Sequence, residues 1–182
     1  MVEVMEIIKG RRAIRKFQEK PVSDEILQRV LETIRSVLSL AEGQHCECEV
    51  ILVKDQATKE RLRDVLNKTN PAKNAVVQAP VVLAVCGKIR SSAHYWGENT
   101  SAEKNLYMFE LGIASQTLCV IAHALGLGTV IVGNFDHDKA KEVLEIPKDH
   151  ELQVLIPLGY PAETPAAPKR REMSEFVHYD KF

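Results

Sequence analysis

The 182 residues carry 24 Lys or Arg against 25 Asp or Glu, for a formal net charge of −1 and a pI near 6.6. That balance argues against nucleic acid as the main partner, because a phosphate backbone asks for an extended basic surface. Hydrophobic residues at 45% and charged ones at 27% describe an ordinary globular domain. The opening Met-Val-Glu-Val-Met-Glu puts acids where a signal peptide would be basic, so a cytoplasmic protein is expected. Cys46, Cys48, Cys86 and Cys119 have the spacing of neither a disulfide framework nor a four-ligand zinc site. Cys46 and Cys48, even with His45 beside them, fall short of the four ligands of a zinc site, so reduced thiols and no metal are expected.

In chain order, Val4, Ile7 and Ile8 predict a short amphipathic helix ending at Gly10. Arg11-Arg12-Ala13-Ile14-Arg15-Lys16-Phe17 follows at once. After Pro21, Ser23-Asp24-Glu25 reads as an N-cap with acids in the first turn. Apolar residues from Ile26 to Leu38 then keep helical spacing, and Gly43 closes that helix. A strand is expected over Glu49–Val53 and a helix from Gln56 to Leu66. Asn67 to Pro80 reads as a polar connection, Val81–Cys86 as a strand, and Gly87 to Thr100 as a second connection. Tyr95-Trp96 in that connection suits either a lid or packing on the core.

Leu106 to Leu127 predicts a long helix, apolar nearly all round, whose Glu110, Gln116 and His123 argue against a membrane span. Gly112, Ala114 and Ser115 would let another backbone approach, and His123 reads as a core histidine. A strand over Thr129–Val132, a helix from an Asp136 cap to Glu145, and a strand over Leu152–Leu158 complete an α+β pattern. Beyond Gly159-Tyr160, Pro161, Pro165 and Pro168 mark an extended arm with too few apolar residues to fold alone. Its Phe176, Val177, Tyr179 and Phe182 need a cover. The expected organisation is therefore a domain over 1–160 and an arm over 161–182 that crosses to a second subunit.

Eight of the 24 cations fall in two short clusters: Arg11, Arg12, Arg15, Lys16 and Lys20, then Lys169, Arg170 and Arg171. Packed cations repel, and a nearly neutral chain does not need them for solubility. An anion bridging both ends would explain them, and phosphate suits the planar guanidinium fork. A solvated basic turn and a basic tail is the other reading.

Four segments in order resemble the FMN-dependent nitroreductase family over essentially the whole chain. They are Arg11–Phe17 with Pro21-Val22; Ser39-Leu40-Ala41-Glu42-Gly43-Gln44; Ala124–Thr129 running to Gly133-Asn134-Phe135; and Leu158–Pro161 with Lys169-Arg170-Arg171 and Val177-His178-Tyr179. The resemblance implies a mixed sheet flanked by helices and a homodimer holding two FMN at the subunit interface. It also implies NADH or NADPH as hydride donor and a small-molecule acceptor such as a nitro compound or quinone. Carried over by position, Arg11, Arg12 and Ala13 would meet the FMN phosphate and ribityl chain, with Lys169 and Arg171 closing from the tail. Arg15 would face the pyrimidine edge of the flavin, and Val132, Gly133 and Asn134 would pass near its reactive N5. Ser39 and Glu42 would reach the flavin from the other subunit. No catalytic side chain is implied.

The chain departs from the pattern where Leu38, Glu42, His45 and Cys46 stand for Pro, Asn, Pro and Trp, and where Ala13 replaces a hydroxyl. A carboxylate at Glu42 would repel a reduced flavin. A flavin-binding sensor or carrier without turnover is thus the alternative function, and an anion-binding module without flavin a third.

Overall fold

A computed structural model of the protein describes residues 3–36, 48–89 and 106–182. Helix α1 spans Val4–Gly10 and buries none of its residues. Helix α2, Asp24–Glu32, starts where expected, with the Ser23 hydroxyl accepting from the Ile26 N–H, and it buries Leu27 and Val30. It ends earlier than its apolar spacing suggests. The Thr33 hydroxyl donates to the Val30 carbonyl at 2.6 Å, and the chain tightens into a 3-10 turn over Thr33–Ser36. The expected continuation to Leu38 and Gly43 lies outside the described residues, as do Ser39, Glu42, His45, Cys46, Tyr95 and Trp96.

Strand β1 is Cys48–Val53 and helix α3 is Gln56–Asp64, capped by Asp55. The segment read as a polar connection in fact contains helix α4, Lys73–Gln78, with Ala75 and Val76 fully buried. Strand β2, Val81–Lys88, is buried from Val81 through Gly87. Helix α5 covers Leu106–Ala124 and ends short of Leu127. Gly126 at φ +79° turns the chain there, with the Gly126 N–H on the His123 carbonyl and the Leu127 N–H on the Ala122 carbonyl. Strand β3 is only Gly128–Thr129, helix α6 is His137–Val143, and strand β4 is His150–Gly159.

The sheet order is β1-β2-β4-β3. Its named pairings are antiparallel, and a parallel bridge between Ala13 and Thr129 makes it mixed. Successive β2 residues serve opposite faces. Val82, Ala84 and Cys86 join the core under α3, α4 and α6, whereas Val81, Leu83 and Val85 join the core under α2 and α5. The register skips Gln153, since Val85 pairs with Val154 but Cys86 with Leu152. That bulge shifts the alternation of β4 by one residue and puts Leu152 and Leu155 on the same face. The result is α+β, a mixed sheet between two helical layers. Among the described residues no helix is long and apolar enough to cross a membrane.

The expected strand Thr129–Val132 is interrupted. After Thr129 the chain leaves the ladder and returns only at Val132, which exchanges two 2.9 Å hydrogen bonds with Leu155. Beyond Tyr160 the arm has no regular element except a 3-10 turn at Met173–Glu175. Burial pushes the Cys86 thiol up to about 12 and also raises Cys119, so neither is poised as a nucleophile.

Candidate functional site

The arginine segment is held on two sides. On one side the Ile14 N–H donates to the Thr129 carbonyl at 2.9 Å, and Ile14 lies against Gly128. A Cβ on Gly128 would fall 2.7 Å from an Ile14 side-chain carbon, which is why this strand begins with glycine. On the other side the arm returns. Phe17 bridges Pro161, the Gln18 N–H reaches the Tyr160 carbonyl, and the Ala162 N–H reaches the Lys16 carbonyl. The Glu163 carboxylate then accepts from the Arg15 N–H at 2.6 Å and the Lys16 N–H at 3.2 Å.

This latch brings the two cationic clusters, about 150 residues apart in sequence, to one cleft of about 360 Å³ lined by Arg11, Arg12, Ala13, Arg15 and Arg170, with arm prolines beside them. Among the described residues no carboxylate lines it. The arm residue contributed differs from expectation. Arg170 faces the cleft, while Arg171 holds its guanidinium 5.3 Å from the Phe176 ring centre and Lys169 is exposed. Arg12 spends one nitrogen on the end of α1, donating to the carbonyls of Lys9 at 2.6 Å and Arg11 at 2.9 Å. Lys20 instead sits over the Tyr160 ring, 4.0 Å from its centre.

Arg15 also lines a larger cleft, about 660 Å³, whose wall mixes Phe17, Pro71 and Val77 with the carboxamides of Asn74 and Gln78. Apolar faces interleaved with hydrogen-bonding edges suit a flat heteroaromatic ring, and the neighbouring carboxylate-free cleft suits a phosphate. Those two clefts meeting at Arg15 fit the two ends of FMN.

Asn134, in the expected N5-side segment, is tied to the stretch that leads into α4. Its side-chain oxygen accepts from the Asn67 amide at 2.5 Å and its carbonyl from the Asn70 amide at 3.0 Å, while Asn70 folds back to accept from the Ala72 N–H. Val132 is buried, and Gly133 and Asn134 are exposed. Asn67, Asn70 and Asn74 were missed by pattern reading. Their signal was the run Asn67-Lys68-Thr69-Asn70-Pro71, dense in turn-forming side chains.

Two ionisable groups respond to this arrangement. His123 is half-buried rather than a core residue, and it lines a third cleft with Arg12 and Glu163. Burial first, then the charges of Arg11 and Arg12, hold its imidazole below the usual range. Lys59 is only 5% exposed, and its ammonium donates to the carbonyls of Ala79 at 2.9 Å and Val77 at 3.4 Å, at the C-terminal end of α4. Lys59→Met should therefore destabilise the fold by about 1–3 kcal/mol in urea titration, because those carbonyls lose their donor in a dry site. Burial lowers the Lys59 pKa, so the unfolded chain binds the proton more strongly. Wild-type stability should accordingly rise, relative to the Met variant, as pH climbs from the folded value toward 10.5.

Among the described residues no group of three or more His, Cys, Asp and Glu could hold a metal. The sequence profile described as the Nitroreductase family matches residues 8–160. A Methanothermobacter thermautotrophicus protein with the provisional double designation NADH dehydrogenase/NAD(P)H nitroreductase is 30% identical over 170 residues, 90% of this chain and 80% of that one. An FMN reductase [NAD(P)H] of Bacillus subtilis is 27% identical over 194 residues, covering 100% of this chain and 75% of its own. Nitroreductase A from Vibrio parahaemolyticus, a solved structure, shares the fold with a TM-score of 0.85 at 23% identity, covering 100% of this chain and 78% of that one. With its profile matched from the first helix to the root of the arm, the chain belongs to the nitroreductase family of flavin oxidoreductases.

Proposed function

We propose that the protein is a cytoplasmic homodimer that binds FMN, takes hydride from NADH or NADPH and reduces nitro compounds, quinones or similar small acceptors. Residues 1–160 form the flavin-binding unit, and 161–182 an arm that crosses to the partner. The observation that carries this reading is the carboxylate-free cleft where Arg11, Arg12 and Arg15 meet Arg170 beside a larger, partly apolar cleft.

FMN, when bound, supplies the two-electron chemistry itself. The chain's residues bind, orient and bias it. Arg11 and Arg170 hold the phosphate by charge-assisted hydrogen bonds, with Arg12 contributing what its contacts to the end of α1 leave free. Arg15, shared by both clefts, places a fixed cation beside the ring and favours the reduced, more negative state. Phe17, Pro71 and Val77 would provide apolar faces, and the family resemblance would bring backbone groups of Gly133 and Asn134 to the ring edge.

Purified protein should be yellow, release FMN on denaturation, and bleach without oxygen when NADH or NADPH is added. Colour should return on adding a quinone or a nitro compound. Protein that stays colourless even after incubation with FMN would overturn the assignment. Yellow protein that neither nicotinamide bleaches would be a flavin carrier rather than an enzyme.

A further inference from the structure

His137, the first residue of α6, stands between two carbonyl oxygens. Its Nδ1 is 2.8 Å from the carbonyl oxygen of Leu152 and its Nε2 is 3.1 Å from that of Gly133. The ring stacks on Phe135, with centres 4.1 Å apart and planes 24° apart. This placement repairs a gap in the sheet. Strand β3 pairs with β4 only at Gly159 and Leu158, Val132 serves Leu155, and the edge of β4 at Leu152 is met by the imidazole. The same ring reaches the Gly133 carbonyl, while Asn67 and Asn70 hold Asn134.

Two acceptors ask for two donors. A neutral imidazole has one N–H, so either tautomer leaves a lone pair facing a carbonyl oxygen; the imidazolium satisfies both. We propose that His137 is a positioning residue that fixes the Gly133 peptide at the edge of the flavin site, holding it from both carbonyls only as the imidazolium. The inference rests on the FMN reading above and names a residue that reading does not use.

Charged groups stand on α6 itself and on the elements packed against it, β4 and α3, where Arg63 and Asp64 pair at 2.9 Å. Asp136, the cap of α6, accepts from the Lys139 N–H at 3.2 Å and pairs with its ammonium at 2.9 Å. Asp138 follows His137 on the helix, and the Lys141–Glu151 pair at 3.0 Å joins α6 to β4. The segment from Gly133 to Phe135 faces the ring without a charge. Asp136 is held below the usual carboxylate range first by Lys139, with His137 as a lesser contributor. Its charge remains in place at any pH where an imidazole titrates.

The test uses the FMN-loaded full chain and the variants His137→Gln and His137→Phe. The flavin potential is measured anaerobically from pH 5 to 8, the range where imidazoles change charge, alongside the rate of bleaching by NADH or NADPH. The wild-type potential should differ from that of either variant at the acid end of this range, where an imidazole carries both protons. Bleaching of the variants should slow about ten- to a hundredfold with FMN affinity held within about twofold. Wild-type and variant curves that coincide at the acid end, in yellow and folded protein, would overturn the inference. Colourless wild-type protein would instead overturn the FMN reading. Should a variant not fold, 15N spectra of the wild-type His137 ring decide. Two protonated nitrogens at the acid end support the role, and one neutral tautomer throughout refutes it.

Discussion

Arg11→Ala is expected to weaken FMN binding by about 1.5–3 kcal/mol, one to two powers of ten in Kd, while leaving riboflavin within about twofold of wild type. The difference isolates the phosphate, because riboflavin lacks that group and nothing else. Arg11 has no role in the sheet, and the cleft it lines holds no carboxylate that would already neutralise it. Arg170→Ala should follow Arg11→Ala, and Lys169→Ala should have a smaller effect, since Arg170 is the arm residue that lines the cleft. A second signal comes from His123, whose imidazole is held low partly by Arg11 and Arg12. A dianion in the cleft offsets those charges, so FMN should raise the His123 titration in NMR and riboflavin should not. Fluorescence titrations of both flavins give the affinities. Equal losses for FMN and riboflavin would show that the phosphate lies elsewhere.

The arm residue that lines the cleft, Arg170 rather than Lys169 or Arg171, shows where sequence reading loses its grip. In an extended chain neighbouring side chains point to opposite sides, so Lys169 and Arg171 share one side and Arg170 takes the other. Composition marks the cluster as basic but does not set that parity; the Glu163 latch and the prolines after it do. The latch joins positions 148 residues apart, and no local pattern carries such a contact. Elements with a local cause were legible instead. Ser23 and Asp136 announce their helices through side-chain caps, and β2 through an unbroken apolar run. Helix α4 was missed because Ala72 offers no side-chain cap and six residues make less than two turns of periodicity. It lines the larger cleft through Asn74, Val77 and Gln78, so a whole wall of the site went unread. Strand β3 was overextended because Val130 and Ile131 have strand-forming side chains, yet β4 is engaged there by Val132 alone. Ser39 and Glu42, expected from the other subunit, lie outside the described residues and stay as the sequence left them.

Removing residues 165–182 is expected to abolish FMN binding and dimer formation together, at a cost of at least a hundredfold in FMN affinity, or about 3 kcal/mol. Cutting there is more informative than cutting at Pro161, because Phe17–Pro161 pairing and the Glu163 contacts to Arg15 and Lys16 survive. The arginine segment therefore keeps its shape while the cleft loses Arg170 and the arm's proline-lined wall. The lost residues also include Tyr179, 84% exposed, and Phe182, fully exposed, its ring centre 4.3 Å from that of His178. In the proposed dimer rings so exposed would find cover in a second copy, as would the exposed Val4, Met5 and Ile8 on α1 and Phe109 on α5. Full-length protein should sediment as a dimer, and its melting temperature should rise with protein concentration. The shortened chain should sediment as a monomer or aggregate, melt lower and independently of concentration while monomeric, and stay colourless with added FMN. A well-folded monomer that still binds FMN within about tenfold of the parent would refute the crossing arm, because Arg11, Arg12 and Arg15 would then suffice without it.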